Sequence, residues 1–274
     1  MPSIHAKTPF AGTRQVPIRL DDSPAYKGSV HDDAVARRMG FKAALIPGVF
    51  VYGHMSRIAV DAWGADWVRQ GGMRARFRRP VYNGDVLTIE AGEAALADGA
   101  LRATLRARNE EGEEVAEGWL GLPEAAPEPP ALERCPILAM PESRTAVEAG
   151  GLVPGTRIGT HQAVLTEEAL RTSLAAFDET HPLYAAHGFA HSGCLVRLAM
   201  ADTNRNFRFP GAVVFVTVES QHFAPVFPGQ RIATSGTVTA VYERNGRHYF
   251  DSDEVLIADG GTVAARFLRT SIYA

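Results

Sequence analysis

The sequence predicts an α+β protein with two similar halves, each an antiparallel sheet wrapped around one apolar helix. Seven of its 17 prolines fall between Pro123 and Pro154 in a chain of 274 residues, and proline interrupts helices and central strands. Each flanking segment contains an apolar helical pattern followed by several alternating, strand-like patterns. One short turn also recurs in both flanks. These observations predict a chain that divides near its middle into two domains of the same architecture.

The composition is that of a globular protein with a sizeable core. Hydrophobic residues make up 46% of the chain, and 28 basic against 31 acidic residues leave a formal net charge of −3. This charge argues against a broad nucleic-acid or anionic-membrane surface. Cys135 and Cys194 lack metal-site spacing and cannot form a disulfide scaffold. Because there is no apolar run of about 18 residues and no signal-peptide core at the N-terminus, we expect a cytoplasmic protein.

The prolines also suggest where the domains end. We expect an N-terminal domain over residues 8–122, a proline-rich linker over 123–156 and a C-terminal domain over 157–274. The start of the linker reads Glu-Ala-Ala-Pro-Glu-Pro-Pro over 124–130, which is typical of an extended segment. Each flank has the size of a small domain.

In the first half, a strand pattern over 14–20 precedes a short helix predicted over 31–40. The residues of 48–63 form a largely apolar helical pattern, which we expect to end at Gly64. Alternation of apolar and polar residues then predicts strands over 72–77, 86–95, 101–109 and 115–122.

The second half repeats this order of elements. A strand pattern over 159–165 precedes a helix that Thr166 caps, and a second apolar helix is predicted over 193–203. Arg244-Asn245-Gly246-Arg247 has the composition of a hairpin turn. Alternating residues predict four further strands, over 212–219, 231–243, 247–257 and 262–270.

A turn sequence repeats with a period near half the chain. Phe-Arg-Arg-Pro-Val-Tyr-Asn-Gly-Asp over 77–85 aligns with His-Phe-Ala-Pro-Val-Phe-Pro-Gly-Gln over 222–230. Both leave a strand and pass through a Pro-Val-aromatic-x-Gly bend, which indicates a duplicated domain. One buried helix within a curled antiparallel sheet is the hot-dog arrangement, so we predict a tandem (double) hot-dog. The two sheets should join edge to edge, because an open edge invites aggregation.

Three segments of the chain share features with one family. Over 36–53, a Gly-Phe is followed by Ile-Pro-Gly-Val-Phe-Val-Tyr-Gly, and 188–195 reads Gly-Phe-Ala-His-Ser-Gly-Cys-Leu. Together with the Phe-x-x-Pro-Val-x-x-Gly-Asp bend, these segments resemble the MaoC-like acyl dehydratase and (R)-specific enoyl-CoA hydratase family. Gly48 and Gly53 match glycines of the family's hydratase motif, whereas Pro47 stands where the family usually has histidine.

The resemblance implies an enzyme that acts on acyl thioesters of coenzyme A or acyl carrier protein as substrates and that needs no cofactor. Members hydrate an enoyl double bond with an aspartate and a histidine five residues later, which hold one water and pass its proton. An amide at the N-terminus of the hot-dog helix binds the thioester carbonyl. We therefore expect a MaoC-like enoyl-thioester hydratase or 3-hydroxyacyl-thioester dehydratase.

Neither half carries the aspartate–histidine pair intact. In the first half, Tyr26 stands five residues before His31. In the second half, Glu179 and Tyr184 occupy the two positions. This altered motif leaves two alternatives open, a hot-dog thioesterase and a non-catalytic acyl-thioester-binding protein.

The predicted catalytic residues lie mainly in the second half. Asp178, Glu179 and His181 place carboxylates and an imidazole on one loop-like stretch, and acid–base catalysis needs both group types at one water. His31 is the candidate in the first half, although the two aspartates that follow it are typical of the first turn of a helix. We favour the second half as the location of the active site.

Other residues are candidates for substrate binding because they lie at a helix start or on a motif position. They are Gly48, Tyr26, Tyr184, His191, Ser192 and Gly193. The two tyrosines could instead bury their rings and keep their hydroxyl groups in water. No metal site is predicted at His181, His187 and His191, because no cysteine or carboxylate pattern accompanies these histidines.

The expected partner is a small acyl-thioester molecule, with no nucleic acid and no membrane, and a homodimer stays an open alternative. The chain contains no G-x-G-x-x-G and no G-x-S-x-G motif. Arg74, Arg76 and Arg78 alternate on one strand face, where they either contact coenzyme A phosphates or form a solvated surface. Cys194 is either a nucleophile at a helix start or, since apolar residues follow it, a buried packing residue.

Overall fold

The structure is a computed structural model that describes residues 11–20 and 23–274. Residues 8–10, where the N-terminal domain is predicted to begin, lie outside the described residues. The elements of the N-terminal half are β1 (Gly12–Pro17), α1 (Asp33–Arg38), α2 (Gly48–Gln70), β2 (Gly72–Phe77), β3 (Val86–Ala91), β4 (Ala95–Ala97), β5 (Ala100–Arg108) and β6 (Glu114–Pro123).

The C-terminal half begins with three short strands and ends in four long ones. Its elements are β7 (Thr145–Ala146), β8 (Arg157–Ile158), β9 (Ala163–Val164), α3 (Glu167–Ala176), α4 (Pro182–His187), α5 (Ser192–Asn206), β10 (Phe207–Arg208), β11 (Val214–His222), β12 (Arg231–Arg244), β13 (Arg247–Ala258) and β14 (Thr262–Ile272).

Both halves share one antiparallel sheet. Its strands follow the order β1-β3-β5-β6-β2-β11-β14-β13-β12-β8, with β4 paired to β5 and β9 paired to β12. The halves meet where β2 pairs with β11, from Arg76 opposite Thr217 to Gly72 opposite Gln221. The prediction that the two sheets join edge to edge is therefore confirmed. This pairing covers two strand edges that would otherwise be open to other chains.

The helices α2 and α5 pack against this sheet and supply much of the core. On α2, the large side chains of Phe50, Tyr52, Met55 and Trp67 are at most 1% exposed, and α5 buries Val196 completely. Burial of a large apolar side chain contributes roughly 1.5–3 kcal/mol, so these helices anchor the fold. The predicted double hot-dog of the α+β class is confirmed.

The apolar helix α2 is longer than predicted. Gly64 has a positive φ of 55° and kinks the helix, but helical structure resumes and continues to Gln70. Trp67 and Val68 in this extension are buried, so burial of apolar side chains carries the helix past the glycine. The expectation that the helix ends at Gly64 is wrong.

No helix in the described part of the chain is long and apolar enough to cross a membrane.

The start of the C-terminal half also differs from the prediction. The expected strand over 159–165 is replaced by the separate strands β8 and β9, each paired with β12. Between them, the Thr160 hydroxyl donates to the buried carboxylate of Asp202 over 3.1 Å and accepts from the amide of Thr234 over 2.8 Å. Contacts with a side chain therefore interrupt the ladder of backbone hydrogen bonds.

Parts of the segment 123–156 pack against the C-terminal half. Cys135 lies in an apolar cluster with Val255, Ile257 and Val263. Further along, β7 pairs in parallel with β10, and Val147 joins a second apolar cluster of the C-terminal half. This proline-rich segment therefore covers part of the second half.

A buried chain of hydrogen bonds crosses the junction of the two halves. The Tyr52 hydroxyl on α2 lies 2.9 Å from Oγ of Ser192 at the start of α5 and 2.7 Å from Oγ of Ser220 on β11. Ser192 Oγ lies 3.0 Å from Nε2 of His222, whose Nδ1 is 3.3 Å from the carbonyl oxygen of Trp67. All four side chains are buried, so these contacts replace the hydrogen bonds that water would make.

The helices α2 and α5 approach the same aromatic ring at glycine residues. A Cβ atom at Gly53 would lie 2.6 Å from Cε1 of Phe177 and 3.2 Å from Cε1 of His191. A Cβ atom at Gly193 would lie 2.7 Å from the same Phe177 atom. Real Cβ contacts are longer than this, so Phe177 sits at a distance that requires glycine on both helices.

We expect Gly53→Ala to destabilise the fold by about 1–3 kcal/mol, because the added methyl group must displace the Phe177 ring from a packed position. The free energy of unfolding, measured by urea denaturation, tests this. Gly211→Ala is the matched control, since a Cβ atom there meets no heavy atom within 4 Å. Equal free energies of unfolding for the two variants would contradict the packing at Phe177.

A second prediction concerns the stability of the junction in acid. Burial lowers the pKa of His222 from 6.5 to about 4, so the folded protein keeps this imidazole neutral where the unfolded chain protonates it. The resulting stabilisation is complete above pH 6.5 and is lost as the pH falls from 6.5 toward 4. We expect His222 to account for about 2–3 kcal/mol of the decrease in the free energy of unfolding between pH 6.5 and pH 4.

Urea unfolding at several pH values across that interval measures this loss. His222→Gln should remove that part of the pH dependence, whereas His161→Gln, which changes an exposed histidine, should retain it. An unchanged pH profile in His222→Gln would assign the titration to another group.

Candidate active site

A short loop between α3 and α4 carries the first candidate residues. After α3, Asp178 adopts a left-handed turn with φ 47°, and the next residue, Glu179, turns toward the interior. His181 is the N-cap of α4, and Pro182 follows at its first helical position. A helix therefore follows directly on the stretch that the sequence indicated as a loop.

Glu179 is the buried acid of this region. Its Oε1 lies 2.5 Å from Nη1 of Arg57 on α2 and accepts a hydrogen bond of 2.6 Å from the backbone amide of His181. Its Oε2 lies 3.6 Å from Nε2 of His191, next to the start of α5. The side chains of Glu179 and His191 are 2% and 1% exposed. Because Arg57 comes from the first half, the site lies between the two halves.

The surroundings of Glu179 keep it ionised at neutral pH. Burial raises the pKa of this carboxyl group, but the contact with His191, the His181 amide and the charge of Arg57 outweigh burial and lower the pKa to about 2. Arg57 is held in turn by Asp61, whose Oδ1 lies 2.6 Å from its Nε. Glu179 is therefore a fixed carboxylate that can accept hydrogen bonds.

The orientation of His191 follows from its role as the N-cap of α5. Its Nδ1 accepts a hydrogen bond of 3.1 Å from the backbone amide of Gly193, so the proton of the neutral ring is on Nε2. Phe177 stacks on the ring with centroids 4.6 Å apart. The distance of 3.6 Å from Nε2 to Glu179 is too long for a normal hydrogen bond. The imidazole is thus oriented toward the carboxylate without binding it directly.

Two buried donors near Glu179 have no hydrogen-bond partner among the described residues. They are Nε2 of His191 and the hydroxyl group of Tyr184, whose rings lie 5.4 Å apart. Burial raises the pKa of Tyr184 well above its usual value, so its hydroxyl group keeps its proton. Buried polar groups are normally paired. Two unpaired donors beside a carboxylate are therefore what is expected where a water molecule or a substrate oxygen binds.

The helix α2 contributes a second buried imidazole, His54. Burial lowers the pKa of His54, the electrostatic influence of His191 and Arg14 lowers it as well, and Glu179 opposes them, so that the pKa is about 4. His54 is therefore neutral at physiological pH. It precedes Arg57 by three residues on the same helix, a spacing that places both side chains on one helix face.

The first-half candidates form a separate group. His31 Nδ1 donates to the carbonyl oxygen of Leu45 over 2.7 Å, and the Tyr26 ring meets the imidazole edge-on at 5.5 Å. Burial lowers the pKa of His31, although the bond to Leu45 opposes this. Asp32 accepts from the backbone amide of Ala34 over 2.9 Å and caps α1. The described residues give His31 no carboxylate contact, so this group lacks the acid of the motif.

The second-half candidates are grouped differently from the predicted pairing of Asp178 with His181. Asp178 is exposed, and His181 uses Nδ1 to cap α4 while its Nε2 lies 3.8 Å from Asp61. The structure instead brings Glu179 and His191 together. The left-handed turn explains the difference, because it leaves Asp178 in solvent and directs the following residue inward.

The remaining predicted binding residues divide between this site and the junction of the halves. Gly193 supports the imidazole of the site through its amide, and Ser192 belongs to the buried chain at the junction. Gly48 begins α2 and packs against side chains of β2 and β11. A Cβ atom at this position would lie 3.3 Å from Phe77 and 3.1 Å from Phe215.

Sequence reasoning missed four residues of the site, namely Arg14, His54, Arg57 and Asp61. A signal existed for the last three, because polar residues at spacings of three and four interrupt the apolar pattern of α2. Which residues they contact depends on how α2 packs against the second half, and periodicity contains no information on that packing.

Three other interpretations of the sequence concern a metal site, Cys194 and the arginines of β2. Among the residues that the structure describes, no group of three or more His, Cys, Asp or Glu is arranged to bind a metal ion. Cys194 is buried, and burial raises the pKa of its thiol, which favours packing over nucleophilic chemistry. Arg74, Arg76 and Arg78 are half exposed and lie near glutamates, as expected of a solvated sheet face.

Solved structures resemble this chain over nearly its whole length. A putative MaoC domain protein dehydratase from Chloroflexus aurantiacus is 15% identical, with a TM-score of 0.64 over 97% of this chain and 95% of that chain. A conserved hypothetical protein from Mycobacterium tuberculosis with a double hotdog fold is 16% identical, with a TM-score of 0.65 and the same coverage. The 12:0-ACP thioesterase from Umbellularia californica is 10% identical, with a TM-score of 0.54 over 95% and 93% of the chains.

No protein-family profile matches the sequence, and no curated protein matches it. At identities this low, structural similarity establishes a shared fold alone, and the activity has to be argued from the site. The chain is a double hot-dog protein of the α+β class, similar in architecture to MaoC-like dehydratases.

Proposed function

We propose that the chain is an acyl-thioester hydratase or 3-hydroxyacyl-thioester dehydratase in which Glu179 and His191 form the reacting pair. The observation that carries the proposal is the buried contact of 3.6 Å between Glu179 Oε2 and His191 Nε2. Glu179 stands at the aspartate position of the family motif, whereas His191 stands at the helix entry that resembles the family's, seven residues after the histidine position that Tyr184 holds. The substrate would be an enoyl or 3-hydroxyacyl thioester of coenzyme A or acyl carrier protein, and no cofactor is needed.

The geometry suits one water molecule held by both side chains. Because Glu179 Oε2 and His191 Nε2 are 3.6 Å apart, one water molecule can lie about 2.8 Å from each of them. Nε2 then donates a hydrogen bond to the water oxygen, and Glu179 accepts one from the water. In hydration, the water oxygen bonds to the β-carbon as Glu179 takes the water proton. The carboxylic acid then protonates the α-carbon on the same face, which regenerates the carboxylate.

The thioester carbonyl requires hydrogen-bond donors where negative charge develops. The amide of Ser192 lies in the first turn of α5, next to the N-cap residue His191, and a helix N-terminus favours negative charge. The unpaired Tyr184 hydroxyl is a second donor within the same buried region. These two groups are the proposed stabilisers of the enolate-like transition state.

Incubation with crotonyl-CoA tests the proposed activity. Hydration should remove the enoyl absorbance without releasing free thiol. Glu179→Gln and His191→Ala should each lower kcat/KM by about 100-fold or more, because each removes a group that holds or moves the reacting proton. Asp178→Asn, a neighbouring but exposed carboxylate, is the matched control and should leave kcat/KM unchanged. Circular dichroism confirms that each variant is folded.

The same assay separates the other candidate functions. Release of free thiol would show that the activity is thioester hydrolysis instead of hydration. Binding of crotonyl-CoA without any reaction would support a non-catalytic binding protein, which the near-complete burial of Glu179 and His191 favours as the second candidate. Activity that depends on Asp178 and is indifferent to Glu179 would overturn the assigned pair.

The ionised state of Glu179 can be measured independently of activity. Its pKa is lowered from 4.5 to about 2 in the folded chain, so the stabilisation is present above pH 4.5 and is lost as the pH falls toward 2. We expect Glu179→Gln to remove on the order of 2 kcal/mol of this acid-dependent loss, measured by urea unfolding. Glu124→Gln, which alters an exposed glutamate, should keep it. Identical profiles for both variants would mean that Glu179 is not held ionised.

A further inference from the structure

Arg14 is a charged residue at an inward-facing position of β1. It pairs in register with Ile89 of β3, which is fully buried. Val16 and Ile18 follow at two-residue spacing, which places them on the same face, and both are buried. A guanidinium group therefore stands where the neighbouring positions of this face hold apolar side chains.

One nitrogen of the Arg14 guanidinium group lacks an acceptor among the residues that the structure describes, and the residue as a whole is partly exposed. Its Nε is buried without a hydrogen-bond partner, and no ion pair joins it to a carboxylate within residues 11–20 and 23–274. The buried carboxylate of the region, Glu179, is already held by Arg57 and by the amide of His181. A buried donor without an acceptor is destabilising. An oxygen of an anion from outside the chain would satisfy this Nε while the rest of the guanidinium group supplies positive charge.

Arg14 lies near the helix α2, which carries His54 and Arg57. The strand β1 packs against α2, and the charge of Arg14 acts on His54 of that helix together with the charges of His191 and Glu179. Gly53, the residue before His54, is in close contact with His191. A ligand that extends from the reacting pair past His54 would thus reach Arg14.

We infer that Arg14 determines substrate specificity by binding a carboxylate at the far end of the acyl group. The inference rests on the proposed function and names its substrate class, thioesters of enedioic or hydroxydioic acids. A guanidinium group binds a carboxylate through two parallel hydrogen bonds. Enclosure beside buried apolar residues strengthens this attraction, since the local dielectric constant is low. An acyl chain ending in a methyl group would leave Arg14 unpaired.

Crotonyl-CoA and fumaryl-CoA form a matched pair of substrates for this test. Both have a four-carbon trans-enoyl group, and they differ in a terminal methyl group against a carboxylate. We expect kcat/KM for fumaryl-CoA to exceed that for crotonyl-CoA by at least about tenfold, because an unpaired buried donor discriminates strongly. Arg14→Met should abolish this ratio, and Arg14→Lys should retain part of it. Arg19→Met, an exposed arginine next to β1, is the control and should leave the ratio unchanged.

Isothermal titration calorimetry with both thioesters separates this inference from the proposed activity. Equal kcat/KM and equal binding for the two thioesters would overturn the role of Arg14 and leave the hydratase intact. Tighter binding of fumaryl-CoA that depends on Arg14, without turnover of either thioester, would support the carboxylate site and overturn the hydratase. Absence of both binding and turnover in the folded wild-type protein would overturn the carboxylate site. If Arg14→Met does not fold, the wild-type ratio and Arg14→Lys decide the outcome.

Discussion

The antiparallel pairing of β2 with β11 is the interaction on which the rest of this structure depends. It joins the two halves in one sheet, and the buried contact between Tyr52 and Ser192 ties α2 to the start of α5. This arrangement lets Arg57 of the first half bind Glu179 of the second. Without Arg57, Glu179 would be a buried carboxylate that lacks its arginine counterion, which is strongly unfavourable. The candidate site therefore belongs to the joined fold and to neither half alone.

The buried polar groups of the chain are of two kinds. In the C-terminal half, Arg269 and Glu254 form an ion pair in which each side chain is 1% exposed, and the Thr203 hydroxyl accepts a further hydrogen bond from the arginine. Such a satisfied network stabilises one packing arrangement without a ligand. The unpaired donors of His191, Tyr184 and Arg14 are the second kind. A buried polar group whose hydrogen bonds are made within the protein has a structural role. A buried donor without a partner instead marks a candidate binding site.

The motif positions indicated the region of the site without identifying the contacts within it. Glu179 stands where the family motif has aspartate, and His191 stands at a helix start that resembles the family's. The motif spacing of five residues falls on Glu179 and Tyr184, and the predicted pair beside these positions, Asp178 and His181, is only three residues apart. In the structure, the six-residue helix α4 returns the chain so that residues 179 and 191 meet. One residue in a left-handed conformation, Asp178, redirects the chain at this point.

The sequence by itself determined the two buried helices, most of the strands and the edge-to-edge duplication, because apolar runs, alternation and repeated turns are local properties of the chain. It also determined that neither half carries the intact aspartate–histidine motif. Only the tertiary structure decided that Arg57 neutralises Glu179, that His191 faces this carboxylate and that the Nε atom of Arg14 is buried without a hydrogen-bond partner among the described residues. These contacts join residues far apart in the chain. Their free energies depend on distance and burial, and a linear pattern contains neither.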